Sequence, residues 1–309
     1  MTQSSGPINL SDNAWAEWLR HGRYAGDAGL EQLLQHELAE IRDRVLDAAV
    51  LQPAMTLVDI GAGDGLVAFG AIERIGPSMS VVLTDVSATV LEMAENRAKE
   101  LKIDGQCRFV HGTAERLTGI ADQQADAATS RAVLAYVSDK LAAFGELYRI
   151  LRPGGRLSIA EPIFQDAAYE VVAMGAVLRT TPPSETDVLQ LLFRWRSAQL
   201  PSTEEAVRGS PVTNFNERDL VRLARHAGFV DIHLELHLDV RPSVITTWNQ
   251  FLDVARYPWA PTLREILRDQ FSEHERALLE MMLRPQIEAG QSLSTDAIAY
   301  LSARRPQSG

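Results

Sequence analysis

The ten residues from Thr56 to Gly65, TLVDIGAGDG, constrain the fold more than any other stretch of the chain. Thr56 to Ile60 is short, aliphatic and β-branched, and it is bounded by Pro53 and Gly61. That is the pattern of a strand buried in a parallel sheet. Gly61, Gly63 and Gly65 follow at alternate positions, where the backbone can take positive φ and a ligand can approach the main chain without meeting a Cβ. Helical character resumes over Leu66 to Ile75. Strand, glycine turn and helix N-terminus together make a pocket whose amide N–H groups point at a nucleotide-like ligand.

The spacing discriminates between nucleotides. A dinucleotide fingerprint needs G-x-G-x-x-G, and the third glycine position is held by Leu66. Asp64 within the turn would repel a pyrophosphate at short range and suits a cation. A second apolar run, Ser80 to Thr84, ends at Asp85, twenty residues after Gly65, where a strand-end carboxylate accepts hydrogen bonds from ribose hydroxyls. Ser87 is placed to cap the next helix. A third short strand centres on Arg108 to Val110 and runs into His111-Gly112-Thr113-Ala114-Glu115. Asp126 to Ser130 forms a fourth, ending at Ser130-Arg131 with Tyr136 in the turn beyond; carboxyl ends of such strands face the ligand crevice. Leu151-Arg152-Pro153-Gly154-Gly155-Arg156 ends a helix and reverses into a fifth strand, Leu157 to Ala160.

Taken in order, DIGAGDG, Asp85 and the L-x-P-G-G turn resemble the motifs of the class I S-adenosylmethionine (SAM)-dependent methyltransferases. The flavour is that of the ubiquinone/menaquinone-type C-methyltransferases and related small-molecule methyltransferases. The resemblance covers about residues 28 to 162, then 216 to 240 and 297 to 303. It implies an α/β fold, a Rossmann-like seven-stranded mostly parallel sheet with helices on both faces, plus helical lid insertions. It implies SAM as cofactor, S-adenosylhomocysteine as product and in-line methyl transfer to a small-molecule acceptor. Cofactor contacts then fall to Asp59, Gly61, Ala62, Gly63, Asp64, Asp85, Val86, Thr113, Ala114, Ser130 and Arg131, with Tyr24 reaching in from an N-terminal lid. Should the acceptor need deprotonation, Tyr136, His21 and Glu161 are the candidate bases nearest the expected crevice. Two other classes stay open: an NAD(P)-dependent oxidoreductase built on the same strand and Asp85, and a non-catalytic SAM-fold binding protein.

The 309 residues divide into an arm or lid at 1–27, a SAM-binding core at 28–162, a helical substrate lid at 163–215, and the rest of the core at 216–309 with a helical insertion at 241–294. Residues 1 to 10 offer little to bury and are expected to be disordered. Ser11 caps a short helix through His21 carrying Trp15 and Trp18, and Asp27 caps a longer one. The first insertion holds Phe164, Tyr169, Met174, Phe193 and Trp195 in two helices separated by Pro182-Pro183. The second holds Trp248, Phe251, Tyr257 and Trp259 and a helix capped by Ser272 with Glu275; it either covers the first or makes a homodimer interface. Together these aromatics favour an acceptor with apolar or aromatic surface.

Phe229 to Val240 alternates, with Ile232, Leu234, Leu236, Leu238 and Val240 on one side and His233, Glu235, His237 and Asp239 on the other. The two histidines would stand roughly 13 Å apart on a strand, too far to share an ion held at about 2 Å from each nitrogen, so no metal site is expected. A net charge of −11 and a pI near 5.2 argue against nucleic acid and anionic membrane as partners. The single cysteine, Cys107, excludes internal disulfides. The N-terminus lacks the basic and apolar regions of a signal peptide and no stretch is long and apolar enough to span a membrane, so a cytoplasmic protein is expected.

Overall fold

The structure is a computed structural model that describes residues 10–182 and 187–307. The expected disorder at residues 1 to 10 lies outside the described residues except at Leu10, and Pro183 lies outside them too. Helix α1 (Asp12–Arg20) starts where the Ser11 hydroxyl accepts the Ala14 N–H, and α2 (Ala28–Ala49) where the Asp27 carboxylate accepts those of Gly29 and Leu30. The core then alternates as expected: β1 (Thr56–Ile60), α3 (Leu66–Ile75), β2 (Ser80–Asp85), α4 (Ala88–Glu100), β3 (Cys107–His111), β4 (Ala125–Arg131), α5 (Lys140–Ile150) and β5 (Leu151–Pro162). After three insertion helices, α6 (Gln165–Thr180), α7 (Asp187–Ser197) and α8 (Glu204–Gly209), the chain returns through α9 (Glu217–His226) to β6 (Val230–Pro242). Three more helices, α10 (Trp248–Asp253), α11 (Leu263–Gln270) and α12 (Glu273–Glu288), precede β7 (Leu293–Arg304).

The seven strands form one sheet in the order β3-β2-β1-β4-β5-β7-β6. The first five are parallel; β7 is antiparallel to both β5 and β6. Because side chains alternate along a strand, Leu57, Val81 and Leu83 pack against Leu46, Val67, Ala68 and Leu91 of α2, α3 and α4 on one face. Val58, Ile60, Val82 and Leu157 pack against Phe144, Leu147, Leu220 and Ala224 of α5 and α9 on the other. The order of strands reverses between β1 and β4, and the crevice at their carboxyl ends is the place for a ligand in such a sheet.

Two details differ from the expectation. The L-R-P-G-G segment belongs to β5 rather than preceding it: Leu151 pairs with Ala125, the register shifts, and pairing resumes at Arg156 with Ala127. Gly155 is needed there because a Cβ would sit 2.8 Å from the Arg152 carbonyl oxygen. The apolar stripe of β6 is also only half covered. Ile232 and Leu234 are half-buried, whereas Leu236, Leu238 and Val240 are 46%, 64% and 59% exposed. The ten residues of α9 span about 15 Å, and the strand runs for about 43 Å.

The insertions pack on each other. Leu191 of α7 shares an apolar cluster with Trp248 of α10, Ile266 of α11, Leu279 of α12 and Phe271 between the last two. A second cluster joins Val171 of α6 to Leu200 and Tyr257, with Phe164, Phe193 and Trp259 against it. The N-terminal segment is tied to the same layer: Trp18 Nε1 donates to Ala255 O at 2.7 Å, Ala255 N to Gly22 O at 2.8 Å, and Gln250 Nε2 to Asp27 Oδ2 at 2.8 Å. Among the described residues no helix is long and apolar enough to cross a membrane.

Candidate functional site

The glycine turn takes the conformation its composition allows, with φ of 62°, 57° and 91° at Gly61, Gly63 and Gly65. A Cβ on Gly61 would lie 2.3 Å from Val133 Cγ2, and one on Gly65 2.3 Å from the Phe69 ring, whereas one on Gly63 would meet nothing within 4 Å. Two of the glycines are therefore demanded by the protein's own packing. Gly63 is demanded only by its φ, and it presents bare backbone at the crevice.

Asp85 links the turn to β2. Its Oδ2 accepts Gly63 N–H at 3.0 Å and its Oδ1 accepts Ser87 N–H at 2.9 Å. A carboxylate has about four acceptor sites, so lone pairs remain for two vicinal hydroxyls. Burial raises the proton affinity of Asp85, opposed by these N–H groups. Val86 beside it is 48% exposed, and its carbonyl oxygen lies 2.9 Å from His111 Nε2. Thr113 bridges to Arg116 just after β3, and Ala114 packs against the core. Ala62 N–H donates to Thr84 O at 2.9 Å, which fixes the turn against β2.

Asp59 is buried at 2% exposure; Thr129 Oγ1 donates to its Oδ1 at 2.8 Å and, among the described residues, its Oδ2 has no hydrogen-bond partner. Burial pushes its carboxyl up to about 7. Asp64 finds its cation within the protein, on the surface: Arg97 of α4 lies 3.1 Å away. The set of groups around the turn, bare glycine backbone, a strand-end carboxylate with free lone pairs, an exposed aliphatic side chain and a buried unpartnered carboxylate oxygen, fits a cationic nucleoside.

The candidate bases stand in three different settings. His21 closes α1 and is exposed, and it is not among the residues lining the adjoining cavity. Glu161 is wholly buried at the end of β5, where it accepts N–H groups from Val133 and Leu134 at 3.0 Å and the Ser130 hydroxyl at 3.3 Å. Burial outweighs these bonds and raises its carboxyl to about 7. Glu161 thus caps the turn that carries Tyr136. Tyr136 projects from that turn between Trp15 of α1 and Trp259, edge to face at 4.8 and 5.7 Å between ring centres. Its phenol is held well above the ordinary tyrosine range, by burial first and by the Glu161 carboxylate second.

Beside Tyr136 opens a cavity of about 900 Å³ between α2, the ends of β5, β6 and β7, and the insertion layer. Arg131, Ile163, Phe164 and Tyr257 line its inner end. Tyr24 is buried behind it, its hydroxyl 3.5 Å from Arg23 Nη1. The fold thus brings together Gly63, Asp85 and Val86 at one part of the crevice and Arg131 and Tyr136 at the next, and sets His21 apart. Arg23, Phe164, Tyr257 and Trp259 join the site through tertiary packing; among these the aromatic content of the insertions is the signal visible in sequence, and Arg23 carries none. Glu235 lies 3.1 and 3.0 Å from His233 Nε2 and His237 Nε2.

A family model described as a methyltransferase domain matches residues 51–192. A ubiquinone/menaquinone biosynthesis C-methyltransferase UbiE of Klebsiella pneumoniae is 30% identical over 194 residues, which is 61% of this chain and 76% of the relative. A demethylmenaquinone methyltransferase of Protochlamydia amoebophila is 29% identical over 181 residues, 58% and 71% of the two chains. Among solved structures, phosphoethanolamine N-methyltransferase 2 of Haemonchus contortus in complex with S-adenosyl-L-methionine superposes with a TM-score of 0.51 at 18% identity, covering 96% of this chain and 57% of that one.

Proposed function

Since the chain belongs to the class I SAM-dependent methyltransferases and acts on small molecules, we propose that its acceptor is a molecule with apolar or aromatic surface, held in the cavity beside Tyr136. The aromatic lining carries this reading: Tyr136, Phe164 and Tyr257 line the cavity, and Trp259 packs edge to face on Tyr136 and Phe164 and stacks on Tyr257. Pockets of several hundred Å³ walled by aromatic side chains take ligands of this kind. The methyltransferases named as quinone-biosynthesis enzymes among its relatives are consistent with a ring-bearing acceptor.

Gly61, Ala62, Gly63, Asp85 and Val86 would hold the nucleoside, with Thr113 and Ala114 along the adenine edge and Asp59 and Ser130 toward the amino-acid end. Bound SAM supplies a methyl carbon on a sulfonium, an electrophile with a neutral leaving group. The protein then contributes position and exclusion of water. Tyr136, packed between Trp15 and Trp259, stands where acceptor and cofactor would meet, and α1 closes over α4 through the bond from Ser87 Oγ to Asp12 O at 3.2 Å. Glu161 holds the Val133–Tyr136 turn, and the Tyr136 phenol, protonated throughout the neutral range, donates a hydrogen bond rather than removing a proton.

Incubation with SAM and a panel of aromatic acceptors, followed by mass spectrometry, tests the reading. One methylene's mass should appear on an acceptor together with S-adenosylhomocysteine. Turnover confined to small polar amines would refute the acceptor class.

A further inference from the structure

Charges of both signs line the cavity, Asp166, Glu170 and Arg196 on the insertion side among them, and they differ in how they are paired. Under β6 and β7, Arg241 lies 3.6 Å from Glu37 and 3.3 Å from Asp239, and Arg256 lies 3.9 Å from Asp296. At the inner end, Arg131 and Arg23 line the wall half-buried, and among the described residues no carboxylate lies within 4.0 Å of either guanidinium. Arg23 is held by the Trp18 ring, 4.4 Å from its centre, and Trp18 is itself fixed to Ala255 O. The Arg131 backbone is fixed at the end of β4 by its pairing with Ala160.

Two like charges facing one cavity repel each other unless an anion joins them. Arg131 shows the strain: its hold on its proton is lowered by burial and then by the Arg23 charge, with Asp64, Tyr136 and Asp59 opposing. Guanidinium groups facing one cavity are suited to grip a carboxylate through paired N–H bonds. We propose that Arg23 and Arg131 together receive a carboxylate on the acceptor, so that the enzyme methylates an aromatic or apolar acid. This rests on the acceptor reading above and sharpens it. The same chemistry is offered by the amino-acid carboxylate of the cofactor, which the test separates.

The protein is loaded with S-adenosylhomocysteine, and binding of naphthoate and of its neutral isostere naphthamide is followed by quenching of tryptophan fluorescence. Naphthoate should bind about tenfold tighter or better. The preference should vanish in Arg23→Gln and Arg131→Gln with S-adenosylhomocysteine affinity and melting midpoint unchanged, and persist in part in Arg131→Lys, which guards against a misfolded glutamine variant. Equal binding of the two probes, or a preference that survives both glutamine variants, overturns the proposal. So does an Arg131→Gln protein that loses S-adenosylhomocysteine but keeps methylthioadenosine, because the arginines would then serve the cofactor's carboxylate. Absence of S-adenosylhomocysteine binding in the wild type overturns the methyltransferase reading and this proposal with it; binding without acid preference overturns this one alone.

Discussion

Replacing Gly61 and Gly63 separately by alanine should split stability from binding. Both residues sit in the left-handed region, at φ of 62° and 57°, so either alanine costs about 1–2 kcal/mol of backbone strain. The surroundings then differ. At Gly61 the new methyl would meet Val133 Cγ2 at 2.3 Å, and Val133 is a stiff β-branched side chain whose own N–H is held by Glu161. Relief requires moving a packed side chain or the turn behind it, an overpacking cost of about 1–3 kcal/mol. The sum for Gly61→Ala is about 2–5 kcal/mol, a fall in Tm of about 5–15 °C for a chain of this size. At Gly63 the methyl meets nothing within 4 Å of protein, so the stability loss stays near the backbone cost alone. That methyl projects where the nucleoside must approach. Differential scanning calorimetry and titration with S-adenosylhomocysteine read the two quantities. Gly63→Ala should lose affinity about tenfold or more while melting within a few degrees of wild type. If Gly63→Ala binds normally, or if Gly61→Ala proves the more stable of the two, the assignment of Gly63 to the ligand and Gly61 to packing is refuted.

Glu161 and Asp59 both have carboxyls raised to about 7 in the folded protein, above the ordinary range of the unfolded chain. The folded state therefore binds more protons between about pH 4 and 7, and ligand-free stability should fall as pH rises across that window and level off above it. Glu161→Gln should flatten the slope, and thermal melts from pH 5 to 8 that show the wild type gaining stability with rising pH would contradict the sign. Tyr136→Phe keeps the ring contacts with Trp15 and Trp259 and removes only the hydroxyl; kcat/KM should drop about tenfold with the shape of the pH-rate profile unchanged. Loss of a limb that rises with pH would instead make Tyr136 a proton acceptor.

Much of this was legible in the sequence because it rests on local rules. The bounds of β1 and α3, the caps at Ser11, Asp27, Ser87 and Ser272, and the position of Asp85 all follow from glycine spacing, cap chemistry and period. What could not be read depended on distant partners. Glu161 is a strand-end carboxylate in sequence, and only folding shows that its donors come from Ser130, Val133 and Leu134, some thirty residues back. Asp64 suits a cation on electrostatic grounds alone, yet the cation that meets it is Arg97, one helix later. Arg23 lies in a short Gly-Arg-Tyr turn with no pattern of its own and enters the site because Trp18 and Ala255 fix that turn against the second insertion.

The most direct measurement is a calorimetric titration of the purified protein with S-adenosylhomocysteine, with NAD as control and Asp85→Asn as variant. Micromolar binding of S-adenosylhomocysteine, weakened about tenfold or more in the variant and absent for NAD, is what the glycine turn and the Asp85 lone pairs require. A folded protein that ignores S-adenosylhomocysteine, or that binds it equally well without the Asp85 carboxylate, would contradict the account.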